Sequence, residues 1–401
     1  MIRHLLKLMW NRKRSNALIV AEIFISFLVV FVVTTGAVYM ITTWSYPLGF
    51  DYRDVWVVSV DMKQQTDDVW AEDTVNRMAN ILRELRRDPN VASVAGSNNT
   101  AYGFDNTEGS CMCNGHQVRF AMTEVTDDFA KVMGMKVVQG RWFGPEDDAE
   151  IWKPVVINER AAKEVFGDQN PIGQRLDKSD PAAKADEVER VVGVVEAYRK
   201  AGEFSPPRNF KFQRIRVGVA ESRPPRYLLL RLRPGTSASF EPQLARRLSS
   251  LAPGWSFDIS RMEQDRNFML RMLSAPILIG TIIAAFLILM VTLGLTGVMW
   301  QNVTQRTREI GLRRALGATA PGVSRQILLE IMIIVTIGVA LGVALVVQLP
   351  VMGLADWLVP EVFAAGLVAA LSVIYLLAAG CAFYPGWMAS RIQPSDALRY
   401  E

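Results

Sequence analysis

A-L-I-V-A-E-I-F-I-S-F-L-V-V-F-V-V-T-T-G-A-V-Y-M-I, residues 17–41, carries one charged side chain, Glu22, in twenty-five positions. A helix rises 1.5 Å per residue, so this run can cross the roughly 30 Å hydrocarbon core of a bilayer. It is longer than the apolar core of a cleavable signal sequence, and no small-x-small cleavage site follows it cleanly. We read it as an uncleaved anchor. Three further runs of spanning length follow, at 275–300, 327–349 and 362–383. Trp300, Trp357, Tyr384 and Trp387 stand near run ends, where amphipathic rings favour the interface. Glu22 falls about one turn inside the first run, and its depth favours a place at headgroup level over an intramembrane role.

The flanks orient these runs. Arg3, Lys7, Arg12, Lys13 and Arg14 precede the first, and Arg306, Arg308, Arg313, Arg314 and Arg325 crowd between the second and third. The connection between the third and fourth holds Asp356 and Glu361 but no Lys or Arg, while Arg391 and Arg399 follow the fourth. Cytoplasmic loops carry the basic excess. The expected layout is therefore a basic cytoplasmic segment 1–16, a span 17–41, an extracytoplasmic domain 42–274 and a span 275–300. A cytoplasmic loop 301–326, a span 327–349, a short external loop 350–361, a span 362–383 and a cytoplasmic tail 384–401 complete it. The fold class is an α-helical membrane protein with four transmembrane helices and a large α+β domain between helices 1 and 2. The bilayer is the first implied partner, in a bacterial inner membrane with both termini cytoplasmic.

Composition agrees. Half of the 401 residues are hydrophobic and 21% are charged, an apolar excess concentrated in those four runs. Net charge is only +4, which gives no footing for nucleic-acid binding. The middle of the chain reads as a soluble domain. Strand patterns occur at 55–60, 91–95, 153–158, 188–196 and 227–233. Val75, Met78, Ile81, Leu82 and Leu85 recur at helical spacing, and further helices are expected after Asn158, stopped by Gly167, and over 239–251. Residues 98–117, rich in Gly, Asn and Ser, are expected to form an extended loop. Residues 205–226, with two Pro-Pro pairs, are expected to cross between subdomains.

Motifs that carry chemistry are few. No G-x-x-x-x-G-K-[ST] phosphate loop, G-x-S-x-G elbow or H-E-x-x-H pair is present, and we assign no catalytic residues. With two histidines and three cysteines, the one metal-like cluster is Cys111, Cys113 and His116, for which Asp105 or Glu108 would have to supply a fourth ligand. The preferred reading of that stretch is a loop whose two thiols form a local disulfide, with no metal. Cys381 lies in an apolar run and reads as a packing residue. In T-Q-R-T-R-E-I-G-L-R-R-A-L-G-A-T, 304–319, a helix would put Leu312, Ala315 and Leu316 on one face, and Arg306, Glu309, Arg313 and Arg314 on the other. Such a helix suits either an apolar groove on a partner or an anionic lipid surface.

R-E-I-G-L-R-R-A-L-G-A-T, 308–319, closely resembles the motif of the MacB/FtsX family of ABC transporter permeases, also called type VII. So does M-G-M-K-V-V-Q-G-R-W-F-G-P-E-D-D at 133–148, with V-V-I-N-E-R-A-A-K-E-V-F-G, N-P-I-G-Q-R-L and V-V-G-V-V beyond it. The tail pattern uses Pro385, Ala389, Pro394, Ala397, Leu398 and Arg399. The motifs keep their order along nearly the whole chain. The resemblance implies a dimer of permeases, homomeric or heteromeric, with cytoplasmic ATPases that bind the ATP and Mg; this chain itself binds no cofactor. It implies that Arg306, Arg308, Glu309, Leu312, Arg313, Arg314, Leu316 and Gly317 belong to a coupling helix that contacts the ATPase. With no phosphate loop, the chain resembles the split members rather than those with a fused ATPase, so it is expected to be non-catalytic. A periplasmic adaptor and an outer-membrane channel are further implied partners. The external domain is expected to combine a mixed α/β part with a more β-rich part. The expected function is mechanotransmission: ATP hydrolysis relayed to export or extraction of a substrate on the far side. The alternative is an FtsX-like signalling subunit that activates a cell-wall hydrolase. A membrane-anchored external enzyme would need a catalytic constellation that is not seen.

Overall fold

The computed structural model describes residues 13–62, 72–113, 116–177, 184–219, 223–305, 312, 316, 319–352 and 359–390. These fall into two compact units, residues 43–273 and a second unit of the apolar helices on either side of them in sequence.

In the helical unit, four helices are long and apolar enough to cross a membrane: α1 (Lys13–Trp44), α6 (Met262–Gln305), α7 (Ala320–Val346) and α9 (Pro360–Ser390). A single turn, α8 (Gln348–Val351), follows α7. Lipid offers no hydrophobic drive for helix pairing, so close backbone approach must supply the contact. Glycines permit it. A Cβ on Gly338 would stand 2.9 Å from Ile23, and one on Gly342 or Gly366 would collide with Phe27 or Thr35. Thr34 Oγ1 donates to the Gly366 carbonyl at 3.1 Å, and Phe27, Ile331, Ala370 and Ile374 are buried in the resulting core. Glu22 lies against Gly294, where a Cβ would come within 3.1 Å of its carboxylate. Its neighbour is thus a helix backbone.

The external unit is built on one ten-stranded sheet: β1 (Val55–Asp61), β2 (Val91–Ser97), β3 (Thr107–Cys113), β4 (His116–Val125), β5 (Val137–Gly140), β6 (Lys153–Asn158), β7 (Glu189–Val195), β8 (Phe210–Arg214), β9 (Tyr227–Leu232) and β10 (Ser256–Arg261). The order is β10-β1-β9-β2-β4-β8-β6-β7-β5, with β3 on β4. β2 and β4 share a single residue pair, Ser97 with Val125, so the sheet has two halves.

The first half runs β1, helix α2 (Glu72–Arg86), β2, then β9, helix α5 (Phe240–Leu251), β10, with every neighbour antiparallel. That is a split β-α-β arrangement, with α2 crossing over β9 and α5 crossing over β1. Val75 of α2 is buried, and Met78, Ile81, Leu82 and Leu85 are buried in one cluster with Val58, Leu228 and Leu230. The second half lies in sequence between β2 and β9. It mixes parallel pairs (β4 with β8, β6 with β7) and antiparallel ones (β3 with β4, β6 with β8, β5 with β7). Helix α4 (Glu159–Phe166) joins β6 to β7. It starts where Asn158 Oδ1 accepts from the Ala161 N–H at 3.1 Å and stops at Gly167, which has φ +61°. Short helix α3 (Phe129–Met133) and the rings of Tyr198, Phe210 and Phe212 form a core with Val55, Val57 and Leu229 of the first half.

Two expectations need correction. Residues 98–117 are not one extended loop: β3 and β4 form a hairpin within and beyond them, closed by the pair Cys113 and His116. Two-residue connections favour Asn-Gly, and Asn114-Gly115 is what the sequence supplies. Residues 205–226 are not a simple crossing segment either, because β8 lies inside them and pairs on both sides.

Candidate functional site

The chain leaves the first spanning helix at Trp44 and enters the second at Met262. Within the external unit these two points are tied together by the loop after β7, which the sequence reading passed over. Arg266 stands on the first turns of α6. Its Nε lies 2.5 Å from Glu203 Oε1, with both side chains largely buried. Its guanidinium covers the rings of Tyr52 at 4.7 Å and Trp44 at 5.8 Å from their centroids. The other Glu203 oxygen accepts from the Tyr102 hydroxyl at 3.4 Å.

Arg199 completes the joint from the same loop. It is 3% exposed. Nη1 donates to the Tyr46 carbonyl at 2.9 Å and Nη2 to the carbonyls of Glu203 and Ser205, each at 2.5 Å. One guanidinium therefore fastens the chain just beyond α1 to the loop that holds Arg266. Trp44 packs on Phe204 with ring centroids 5.5 Å apart. The loop can pass this close because Gly202 sits at φ +85°, where a Cβ would come 2.5 Å from the Tyr102 ring. Tyr102 itself holds φ +61° and donates its N–H to the Lys200 carbonyl at 2.8 Å. A bulky residue in that conformation costs of order 1–3 kcal/mol, so its surroundings must fix it.

Electrostatics match this packing. Burial, then the Glu203 charge, holds the Tyr102 hydroxyl well above its usual range, so it stays a donor to the carboxylate. Burial alone raises Tyr198. Burial lowers Lys200, against the opposing pull of Asp105. The arrangement holds ions, rings and carbonyls in register.

Of the residues picked from sequence, Leu312 and Leu316 are described and exposed, and Leu316 donates its N–H to the Leu312 carbonyl at 3.0 Å, one helical turn. Arg306, Arg308, Glu309, Arg313, Arg314 and Gly317 lie outside the described residues. Cys111 and Cys113 are joined in a disulfide, so their sulfurs are not free as metal ligands. Among the described residues no group of three or more His, Cys, Asp or Glu side chains could hold a metal. Asp105 and Glu108, weighed as a fourth ligand, instead meet the Tyr227 hydroxyl and Arg208. Nothing local in the sequence marks the joint: Arg199, Glu203 and Arg266 are ordinary charged residues until the fold brings them together. The one available hint was Gly202 beside them.

Residues 22–246 match the family described as MacB-like periplasmic core domain, and residues 281–394 the FtsX-like permease C-terminal region. The first match alone covers more than half of the chain. This chain belongs to the MacB/FtsX-like (type VII) family of ABC transporter permeases. The MacB-like core domain is the sheet unit between the first two spanning helices, and the FtsX-like region includes the other three. The chain is 27% identical over 293 residues to the macrolide export ATP-binding/permease protein MacB of Burkholderia thailandensis, covering 70% of this chain and 43% of that one. It is 31% identical over 173 residues to the protein of that name from Syntrophobacter fumaroxidans, covering 42% and 24%. It thus spans less than half the length of these curated relatives. The periplasmic region of MacB from Actinobacillus actinomycetemcomitans aligns with 55% of this chain and 94% of its own at 16% identity, with a TM-score of 0.37.

Proposed function

We propose that this MacB/FtsX-like permease works by mechanotransmission. A cytoplasmic ABC ATPase on a separate polypeptide binds ATP and Mg and docks on the helix around Leu312 and Leu316. The spanning helices of a permease dimer carry the resulting movement to the external domain, which exports or extracts an amphiphilic substrate. Macrolide export, the activity in the names of the relatives, is one instance of that class. The 301–326 loop and both termini face the cytoplasm, and a periplasmic adaptor and outer-membrane channel complete the route. The match of the external domain to a MacB-like core favours this reading over activation of a cell-wall hydrolase.

The observation that carries it is the joint. The exit from the first span and the entry to the second are held by one buried ion pair, Arg266–Glu203, and one buried guanidinium, Arg199. A rigid coupling of two helices through a third segment is what a relay needs. The test is ATP-driven transport together with ATPase co-purification in reconstituted vesicles. Leu312→Asp puts a charge into the proposed contact and should abolish both. Glu203→Gln should leave the ATPase bound and hydrolysing while transport falls about tenfold or more. Normal transport by a properly inserted Glu203→Gln protein would defeat the relay. Intact co-purification in Leu312→Asp would defeat the docking helix.

A further inference from the structure

The second half of the sheet carries a cleft that the joint does not use. β6 and β8 pair antiparallel at Val155 with Gln213, Val156 with Phe212 and Ile157 with Lys211. One step further Pro154 would oppose Arg214, and a proline has no N–H to continue the ladder. The strands part there, and the chain after β8 bonds to the other side, Ile215 N–H donating to the Val125 carbonyl at 2.8 Å. Between the parted ends lies a cavity of about 550 Å³. That is the size of a ligand site.

Its wall is fixed by ion pairs. Arg214 is bidentate to Asp127, with both bonds at 2.7 Å, and reaches Asp148 at 2.7 Å. Asp147, fully buried as a side chain, is gripped by Arg141 at 2.8 and 2.5 Å and accepts the Gly144 N–H at 3.0 Å. These groups neutralise one another and leave little net charge on the wall. Beside them is an apolar ledge: Ile151 is 72% exposed and Val219 38%, next to Trp152. The rim adds three acids, Glu124, Glu150 and Asp186, and three bases, Lys153, Arg216 and Arg223. Glu150, Asp186, Lys153 and Arg216 are exposed, and none of these four has an ion-pair partner among the described residues. The main chain of Ile151, Trp152 and Arg216 also has no ladder partner among them.

A compact anion would meet Glu150 and Asp186, and a compact cation would meet Lys153 and Arg216. A peptide presents both charges, apolar side chains at alternate positions and a main chain that needs partners. We propose that this cleft binds an extended peptide segment of a second polypeptide, added as a strand where β6 and β8 part. Strand addition draws affinity from main-chain bonds and selectivity from alternate side chains. Here the ledge of Ile151, Trp152 and Val219 takes the apolar positions and the rim takes charged ones. The site does not depend on the coupling reading above.

The experiment uses the full chain in lipid nanodiscs and random short peptides displayed on phage. Enriched peptides are synthesised with a fluorophore and their affinity is measured by anisotropy. The expected result is a shared alternation of apolar and polar positions, with affinity lost roughly tenfold or more in Ile151→Asp/Val219→Asp and on N-methylation of alternate peptide amides. Arg216→Ala should also weaken binding. It serves as the second variant if the double substitution lowers the melting temperature. Equal binding to the variants overturns the site, and so does a failure to enrich peptides. Indifference to N-methylation overturns strand addition. Displacement by equimolar inorganic phosphate would show an anion site instead.

Discussion

The two halves of the external sheet solve different problems. The first, β10-β1-β9-β2, is continuous with both spanning helices: the chain enters it from α1 and leaves it into α6. The second lies entirely between β2 and β9 in sequence and touches neither span covalently. Its strands meet the first half at one ladder pair, and two further main-chain bonds, Asp51 N–H to the Met133 carbonyl at 2.8 Å and Arg199 N–H to the Leu48 carbonyl at 3.0 Å, tie it to the segment before β1. What binds it is a shared aromatic core and the loop carrying Arg199 and Glu203. The first half is therefore attached to the helices by the chain itself, whereas the second is held only by contacts made inside the external unit. Coupling strength in this domain is a property of a few buried groups, and each can be removed.

The largest effect is expected at Phe129. It is fully buried, with Trp142, Tyr198 and Phe212 rings 6.3, 6.2 and 5.8 Å from its own. Phe129→Ala should cost about 3–5 kcal/mol. If the halves are bound mainly here, the variant should also lose a single unfolding transition, and calorimetry of the full chain in detergent would resolve two. One cooperative transition in Phe129→Ala would mean that the halves are joined more strongly than this comparison holds.

Arg199 comes next. Arg199→Met keeps much of the volume but strands the carbonyls of Tyr46, Glu203 and Ser205, at an expected cost of about 2–4 kcal/mol. Its signature is local: hydrogen exchange should accelerate in 199–205 and around Tyr46 before it does in β1 or β9. Uniform acceleration would make Arg199 a general stabiliser and not a clasp.

Asp147 tests the second half alone. Burial pushes its carboxyl up, but the Arg141 bonds, the Gly144 N–H and the nearby arginine charges outweigh this and hold it below its ordinary range. A carboxyl lowered in the fold contributes fully above the unfolded value of about 3.9 and loses that contribution as pH falls through the folded value. Asp147→Asn should cost roughly 1–2 kcal/mol at neutral pH. The gap from the parent should close on acidification below about pH 4. A gap independent of pH would assign the loss to packing.

The smallest effect has the opposite sign. Lys200 is buried beside the joint, and burial lowers its ammonium. A lysine lowered in the fold opposes folding below that value, and the cost is relieved as pH rises through it toward the unfolded value near 10.4. Lys200→Met should raise stability by up to about 1 kcal/mol at neutral pH, and the gain should vanish on the alkaline side. Melting curves across that range check it. A loss of stability would show that the contact of Nζ with Asn106 Oδ1, at 3.4 Å, outweighs desolvation.

Sequence reading served the two regions unequally, for a physical reason. Spanning helices announce themselves by length and polarity, and α2 by the spacing of Val75, Met78, Ile81, Leu82 and Leu85, because those signals are local. β1, β6, β7 and β9 likewise contain dense β-branched or leucine runs, and β2 two spaced valines after a Pro-Asn stop. β3 and β8 do not. T-E-G-S-C-M-C and F-K-F-Q-R owe their strand state to neighbours far along the chain, so composition reads the first as loop and the flanking prolines hide the second. The joint was the least legible part. It joins the 199–205 loop to residues more than 60 positions away, as in Arg266 and Glu203, and individually its charged members look like surface charges.

Ser97 ends β2 and Tyr227 begins β9, and the two face each other in the ladder. Everything between them is a guest whose entry and exit are neighbours. Inserting such a segment adds little closure entropy to the host, since its ends are already together. In principle a two-residue turn could close the gap that 129 residues now occupy, counting from 98 to 226. The architecture is therefore modular in an engineering sense: one can exchange the outer module, and whatever its cleft recognises, without redrawing the strands anchored to the membrane helices.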